Sequence, residues 1–383
     1  MTVDPVKLTS DLIRCASVTP IEAGALQLLD DTLSAAGFTC TRVDRNGTPN
    51  LFARWGDKTT TRTLGFNGHT DVVPVEGQPW DTDPYAVTER DGKYFGRGTC
   101  DMKGFDALAI WALVEAQHAP LTRPLQIALS FDEEIGCTGA PPMIEAMQQH
   151  LPKGSAVIVG EPSLMKAVTG HKGGIGFDTH VVGFEVHSSL VHIGVNAIMF
   201  GAKLIDWANA VNAENMAATP NDIAALFEPP FTTAHVGMIS GGTAHNITAK
   251  DCRFAMDFRV VAGEDKNDWA ARYREKVAEV EAQMQAIVPQ TRIDISERFD
   301  VPGLRPEEDG EAEGLVRQIT GDNGTHVVSY GTEAGQFQNA GYSAVICGPG
   351  SIEQAHQPNE FISVAEFEAG HQFMRDLLTR LCA

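Results

Sequence analysis

Runs with strand and helix periodicity alternate through the first 160 residues, break off near Gly174 and resume after Pro289. This interrupted alternation constrains the fold more than any other feature of the chain. Asp4-Pro5 opens a helix that carries Leu8, Leu12 and Ile13 on one face. A second helix is expected over 22–36, stopped by Gly37. Strands are expected over 39–43, 50–55, 62–66, 125–131 and 156–159, with helices over 102–118 and 141–150. Strands that alternate with helices of this length predict an α/β/α domain around a mixed central sheet.

After Gly174 the style changes. A strand over 176–184 leads to a long helix capped by Asn196 and reaching about 212. Strand-like pieces at 234–239 and 252–260 precede a helix over 267–287. Two helices on a four-stranded antiparallel sheet would make a compact α+β insert. Strands then return at 291–295 and 343–347, and Ser363 with Glu366 forms a capping box for the last helix. The expected division is 1–174 and 290–383 for the α/β domain and 175–289 for the insert. No long flexible tether marks either boundary, so one domain inserted into another is the natural arrangement.

Charge narrows the partners. With 29 Lys+Arg against 50 Asp+Glu the net charge is -21, which repels phosphate backbones and opposes a nucleic-acid role. It is compatible with a small cationic substrate or a metal ion. No run of 18 apolar residues suggests a membrane span. The opening MTVDPVKLTSDL lacks the apolar core of a secretory signal. The seven cysteines form no CxxC pair, as expected of reduced thiols in a cytoplasmic protein.

Five segments concentrate chemistry at expected strand ends. Gly68-His69-Thr70-Asp71 puts an imidazole where open α/β sheets place ligands, with an aspartate two residues on to orient it. In Gly96–Gly104 glycines bracket Asp101, which reads either as a helix cap or as a carboxylate aimed at a site. Asp132-Glu133-Glu134 follows an apolar strand; it is a solvated acidic turn or an acidic group whose repulsion a divalent cation offsets. Glu161 ends another strand, and His356 lies in a Gly/Pro-rich loop. Taken together, histidine and carboxylate without thiolate suit zinc, cobalt or manganese, and a carboxylate between two metals suits hydrolysis.

In order and spacing, GHTDVVP, GRGTCDMKG, SFDEEIG, VGEPS and AHQPNE resemble the co-catalytic di-zinc aminoacylase and peptidase family over nearly the whole chain. The resemblance implies two divalent ions, zinc or cobalt. His69 and Glu161 would hold one, Glu134 and His356 the other, and Asp101 would bridge them through a cis Asp101–Met102 peptide. Glu133 would be the general base and Asp71 would orient His69. The insert resembles a lid through which two copies dimerise, with His187 reaching the partner's site. Val186 stands where that family commonly has glycine. Lys172, Asn246, Arg259, Thr332 and Glu333 match positions that contact substrate, an N-acyl amino acid. Within the family the GHKG and YGTEAG runs are more like deacetylases than desuccinylases. Glu333 is expected to face a substrate ammonium; a first-turn helix acid is the other reading.

Overall fold

The computed structural model describes residues 2–45, 48–56, 59–60 and 62–382, with backbone only at 45 and 48. It resolves into two compact units: 1–170, 306–327 and 332–383 form the first, and 171–305 with 328–331 the second.

The first unit is built on an eight-stranded mixed sheet. Its order is Cys40–Arg45, Thr48–Trp55, Leu125–Ser130, Leu64–His69, Ala156–Pro162, Ser343–Gly348, Val168–His171 and His326–Val328. The four strands from Leu125–Ser130 to Ser343–Gly348 run parallel, and the Thr48–Trp55 side is antiparallel. Leu64–His69, Leu125–Ser130 and Ala156–Pro162 are buried at every position. Helices on both faces produce that burial, which is why these strands read as apolar runs without alternation. Pro5–Arg14, Lys103–Glu115 and Val364–Leu381 pack together on one face; Ala140–His150 and Ala334–Asn339 lie on the other. Lys103–Glu115 is buried on nearly every side. The side chains of Asp4 and Ser363 cap their helices as their sequence positions suggest. Three short strands, Thr88–Arg90, Lys93–Phe95 and Phe361–Ser363, form a separate small sheet.

In the second unit Gly173–Val182 is the central strand, paired antiparallel with Asp251–Val260 on one side and Arg292–Val301 on the other. Thr233–His235 and Ile239–Gly241 both pair with Asp251–Val260. The sheet therefore has five strands where four were expected: a break splits the expected 234–239 strand into two short ones, and Arg292–Val301 joins from beyond the expected boundary. Helices Ala197–Ala217 and Lys266–Gln285 cover one face around Phe177, Phe254, Phe258, Trp269 and Tyr273. Burial alternates along Asp251–Val260, the mark of a sheet covered on one side.

This unit is wider than the 175–289 read from sequence. Residues 292–301 alternate like any half-buried strand, and that pattern does not say which sheet they join. The structure pairs Asp294 with His180 and Val301 with Gly174, so they complete the insert. All seven cysteines are free of disulfides. Among the described residues no helix is long and apolar enough to cross a membrane.

Candidate metal centre

The expected 62–66 strand runs on to His69, which puts the imidazole at its C-terminal end. His69 Nε2 is 2.9 Å from Asp101 Oδ1 and 3.8 Å from Glu161 Oε1. His356 Nε2 is 3.3 Å from Asp101 Oδ2 and 3.0 Å from Glu134 Oε2. Asp101 thus turns one oxygen to each histidine. Donor atoms of His69, Glu133 and Glu161, and of His69, Asp101 and Glu134, fall within 4.8 Å of one another. The structure brings together all five expected ligands and the expected base.

Separate segments deliver these groups. The Asp101 turn needs Gly98, whose φ is +86° and where a Cβ would press on Val72. The Asp101–Met102 peptide is cis. Asp132, Cys137, His356 and Asn359 all hold left-handed φ without being glycine, and such positions concentrate where function over-determines the backbone.

Asp71, expected to orient His69, spends its carboxylate on the acidic turn. Its carboxylate accepts the main-chain N–H of Glu133 at 3.3 Å and of Glu134 at 3.1 Å, and the Thr19 hydroxyl at 2.8 Å. It stands 3.6 Å from His69 Nδ1, which meets the Asp71 main-chain oxygen at 3.0 Å. The carboxylate is turned away because the acidic turn occupies it. Glu133 Oε1 accepts the Cys137 thiol at 3.1 Å.

The electrostatics call for a cation. Asp101 and Glu161 are 5% and 4% exposed. Burial raises Glu133 to about 8, with Glu134 and Asp101 adding repulsion. Burial and the Asp101 charge likewise raise Glu134 and push Glu161 well up. Burial would raise Asp101 too, but hydrogen bonds from His356 and His69 hold it below the usual carboxylate range. His356 is held up at about 10 by hydrogen bonds to Asp101 and Glu134. Burial works against a proton on His69, yet Asp101 and Asp71 outweigh it and leave the imidazole well above its ordinary value. Clustered carboxylates that share two imidazoles are the donor set of a divalent metal pair, so the residues fit that group.

Of the expected substrate contacts, Thr332 and Glu333 lie in this unit. Thr332 is buried and its hydroxyl accepts the Ala334 N–H at 3.1 Å. Glu333 is 2% exposed and accepts the Asn67 amide at 2.8 Å. Burial raises its pKa to about 7. The start of helix Ala334–Asn339 packs the Glu333 carboxyl against the strand that ends in His69, with Oε2 engaged by Asn67.

The remaining expected residues belong to the second unit. Lys172 is 1% exposed, and its ammonium donates to the carbonyls of Pro229 at 2.7 Å and Phe231 at 2.8 Å. These bonds hold the loop that carries Pro229 and Phe231. His187 is exposed, with Nδ1 2.8 Å from Ser189 Oγ. Asn246 is exposed and its main-chain oxygen accepts the Ser188 N–H at 2.9 Å. Arg259 pairs with Asp257 at 3.0 Å, 44% exposed. Sequence reasoning assigned no role to Arg97, Gln78, Cys137 or Asn67; all four sit inside or beside quoted motifs, but only contact distances single them out.

This α/β/α unit, with histidines and carboxylates gathered at strand ends, has the architecture of a metallo-hydrolase. The model for peptidase family M20/M25/M40 matches residues 65–380, and the chain belongs to that family. It is 37% identical over 290 residues to a succinyl-diaminopimelate desuccinylase of Ruegeria pomeroyi, covering 73% of this chain and 74% of that one. It is 34% identical over 342 residues to an acetylornithine deacetylase of Myxococcus xanthus, covering 87% and 86%. An M20 family metallo-carboxypeptidase from Sulfolobus solfataricus shares the fold with a TM-score of 0.81, at 16% identity over 99% of each chain.

Proposed function

We propose that the chain hydrolyses the amide of N2-acetyl-L-ornithine to L-ornithine and acetate, using two divalent ions, zinc or cobalt. One observation carries the chemistry: Asp101 offers a separate oxygen to each of two histidines, the arrangement a bridging carboxylate needs. His69 and Glu161 would hold one ion, and Glu134 and His356 the other. A bound pair of this kind supplies a Lewis acid for the acyl carbonyl and makes water more acidic. Glu133 takes the proton of the attacking water and returns it to the departing amine. The Cys137 contact leaves Glu133 Oε2 for that transfer. Asp71 keeps the Glu133–Glu134 turn in place.

The insert would pair with that of a second copy, and His187 would donate to the developing oxyanion in the partner's site. Its Nδ1 is engaged by Ser189, which favours a proton on Nε2 for that purpose. Arg259 and Asn246 are assigned to the substrate α-carboxylate.

Desuccinylation is the second reading, favoured by the names of many relatives. A succinyl group adds a carboxylate that needs a cation on the acyl side. The cation of the His171-Lys172 pair is already committed to two carbonyls, which supports the acetyl reading. Leaving a buried charge unpaired costs a few kcal/mol, enough for about 100-fold discrimination. Metal-loaded enzyme should therefore prefer acetylornithine over N-succinyl-diaminopimelate by at least about 100-fold in kcat/KM. A preference for the succinylated substrate would replace this assignment with the desuccinylase one.

A further inference from the structure

Glu360 precedes the strand Phe361–Ser363, which pairs with Lys93–Phe95. Its main-chain oxygen accepts the Gly96 N–H at 2.9 Å, and this pairing brings its side chain to the turn that carries Asp101. Oε1 accepts three main-chain N–H groups, from Gly98 and Cys100 at 3.0 Å and Asp101 at 3.1 Å. Oε2 accepts the Arg97 guanidinium at 2.7 Å, and both side chains are 1% exposed. The other arm of Arg97 donates to Gln78 Oε1 at 2.6 Å. Gln78 Nε2 in turn donates to the main-chain oxygen of His356 at 3.0 Å. A continuous chain of polar contacts thus joins the turn bearing Asp101 to the loop bearing His356.

We infer that Glu360, through Arg97 and Gln78, is a positioning residue that sets the spacing between Asp101 and His356; this rests on the reading that those two residues hold metal. Glu360 is not a ligand, because hydrogen bonds engage both its oxygens. Three N–H groups on one carboxylate oxygen allow the turn a single shape, which fixes where Asp101 points. His356 is different: its side chain is half exposed and little packing restrains it. The Gln78 link supplies a restraint through its main chain. Outer contacts of this kind commonly change metal affinity by about 10–100-fold.

The test is a cobalt titration of metal-free wild-type, Glu360→Gln and Gln78→Leu protein, followed by visible absorption, with urea midpoints as the check on folding. In Glu360→Gln the new amide opposes Arg97, and both ions should bind about 10–100-fold more weakly, since they share Asp101. In Gln78→Leu only the ion held by His356 and Glu134 should weaken, by about tenfold. Wild-type affinity for both ions in folded variants overturns the inference. Should Glu360→Gln not fold, the selective loss in Gln78→Leu still supports it, and unchanged affinity there overturns it. Wild-type protein that takes up no cobalt would instead overturn the metal reading beneath it.

Discussion

Both units hold histidines and arginines among the expected site residues or their neighbours, but the two units treat them differently. In the first, His69 is 1% exposed between Asp101 and Glu161, and Arg97 is 1% exposed against Glu360. In the second, His187 is exposed with a serine as its partner, and Arg259 is 44% exposed against Asp257. Burying a charge is unfavourable unless something nearby compensates it. The first unit therefore states its function within its own walls, since its acids need a cation. In the second unit His187 and Arg259 are open to solvent and meet only a neighbouring serine and aspartate, so they carry no comparable demand for a cation.

Three variants probe that contrast, in order of decreasing effect. Glu133→Gln should keep the fold and both metals and lower kcat by about 10²–10⁴, while Glu134→Gln should lower metal content. Elemental analysis beside turnover separates them, and the opposite metal contents would exchange their roles. Next comes His187→Ala, expected to lower kcat by about 10²–10³ as an oxyanion donor does. Mixed with Glu133→Gln and allowed to exchange subunits, it should regain partial activity, because one site of the mixed dimer has both groups intact. No recovery in a verified heterodimer would refute action across subunits.

Lys172→Met should have the smallest effect on turnover. Removing its two hydrogen bonds to carbonyls should lower unfolding stability by about 1–3 kcal/mol and leave the acetyl-to-succinyl ratio of kcat/KM unchanged. A changed ratio at unchanged stability would return Lys172 to the substrate and weaken the division between the units.

Much of the first unit was legible in the sequence. Its strands are buried on both faces, so continuous apolar runs marked them, and functional groups follow the ends of such strands in open sheets. The family resemblance placed the ligand set, and the structure brings that set together. Less was legible in the insert. The strand expected at 291–295 falls within the expected α/β domain, yet it pairs with Gly173–Val182 of the insert, because register is a long-range choice. Lys172 and Glu333 look like recognition residues in a linear reading. Both turn out to be buried, and nothing at their own positions announces the carbonyls of Pro229 and Phe231 that meet Lys172 or the Asn67 amide that meets one oxygen of Glu333.

The sequence by itself determined the α/β alternation, the interruption by an insert, the helix caps and the residue types of a metal site, since all of these depend on periodicity or on groups close along the chain. Tertiary structure alone decided that Asp71 holds the acidic turn and that Glu360 grips the Asp101 turn across 259 residues of chain. Hydrogen bonds act over about 3 Å, and only the folded chain brings such distant donors and acceptors within that reach.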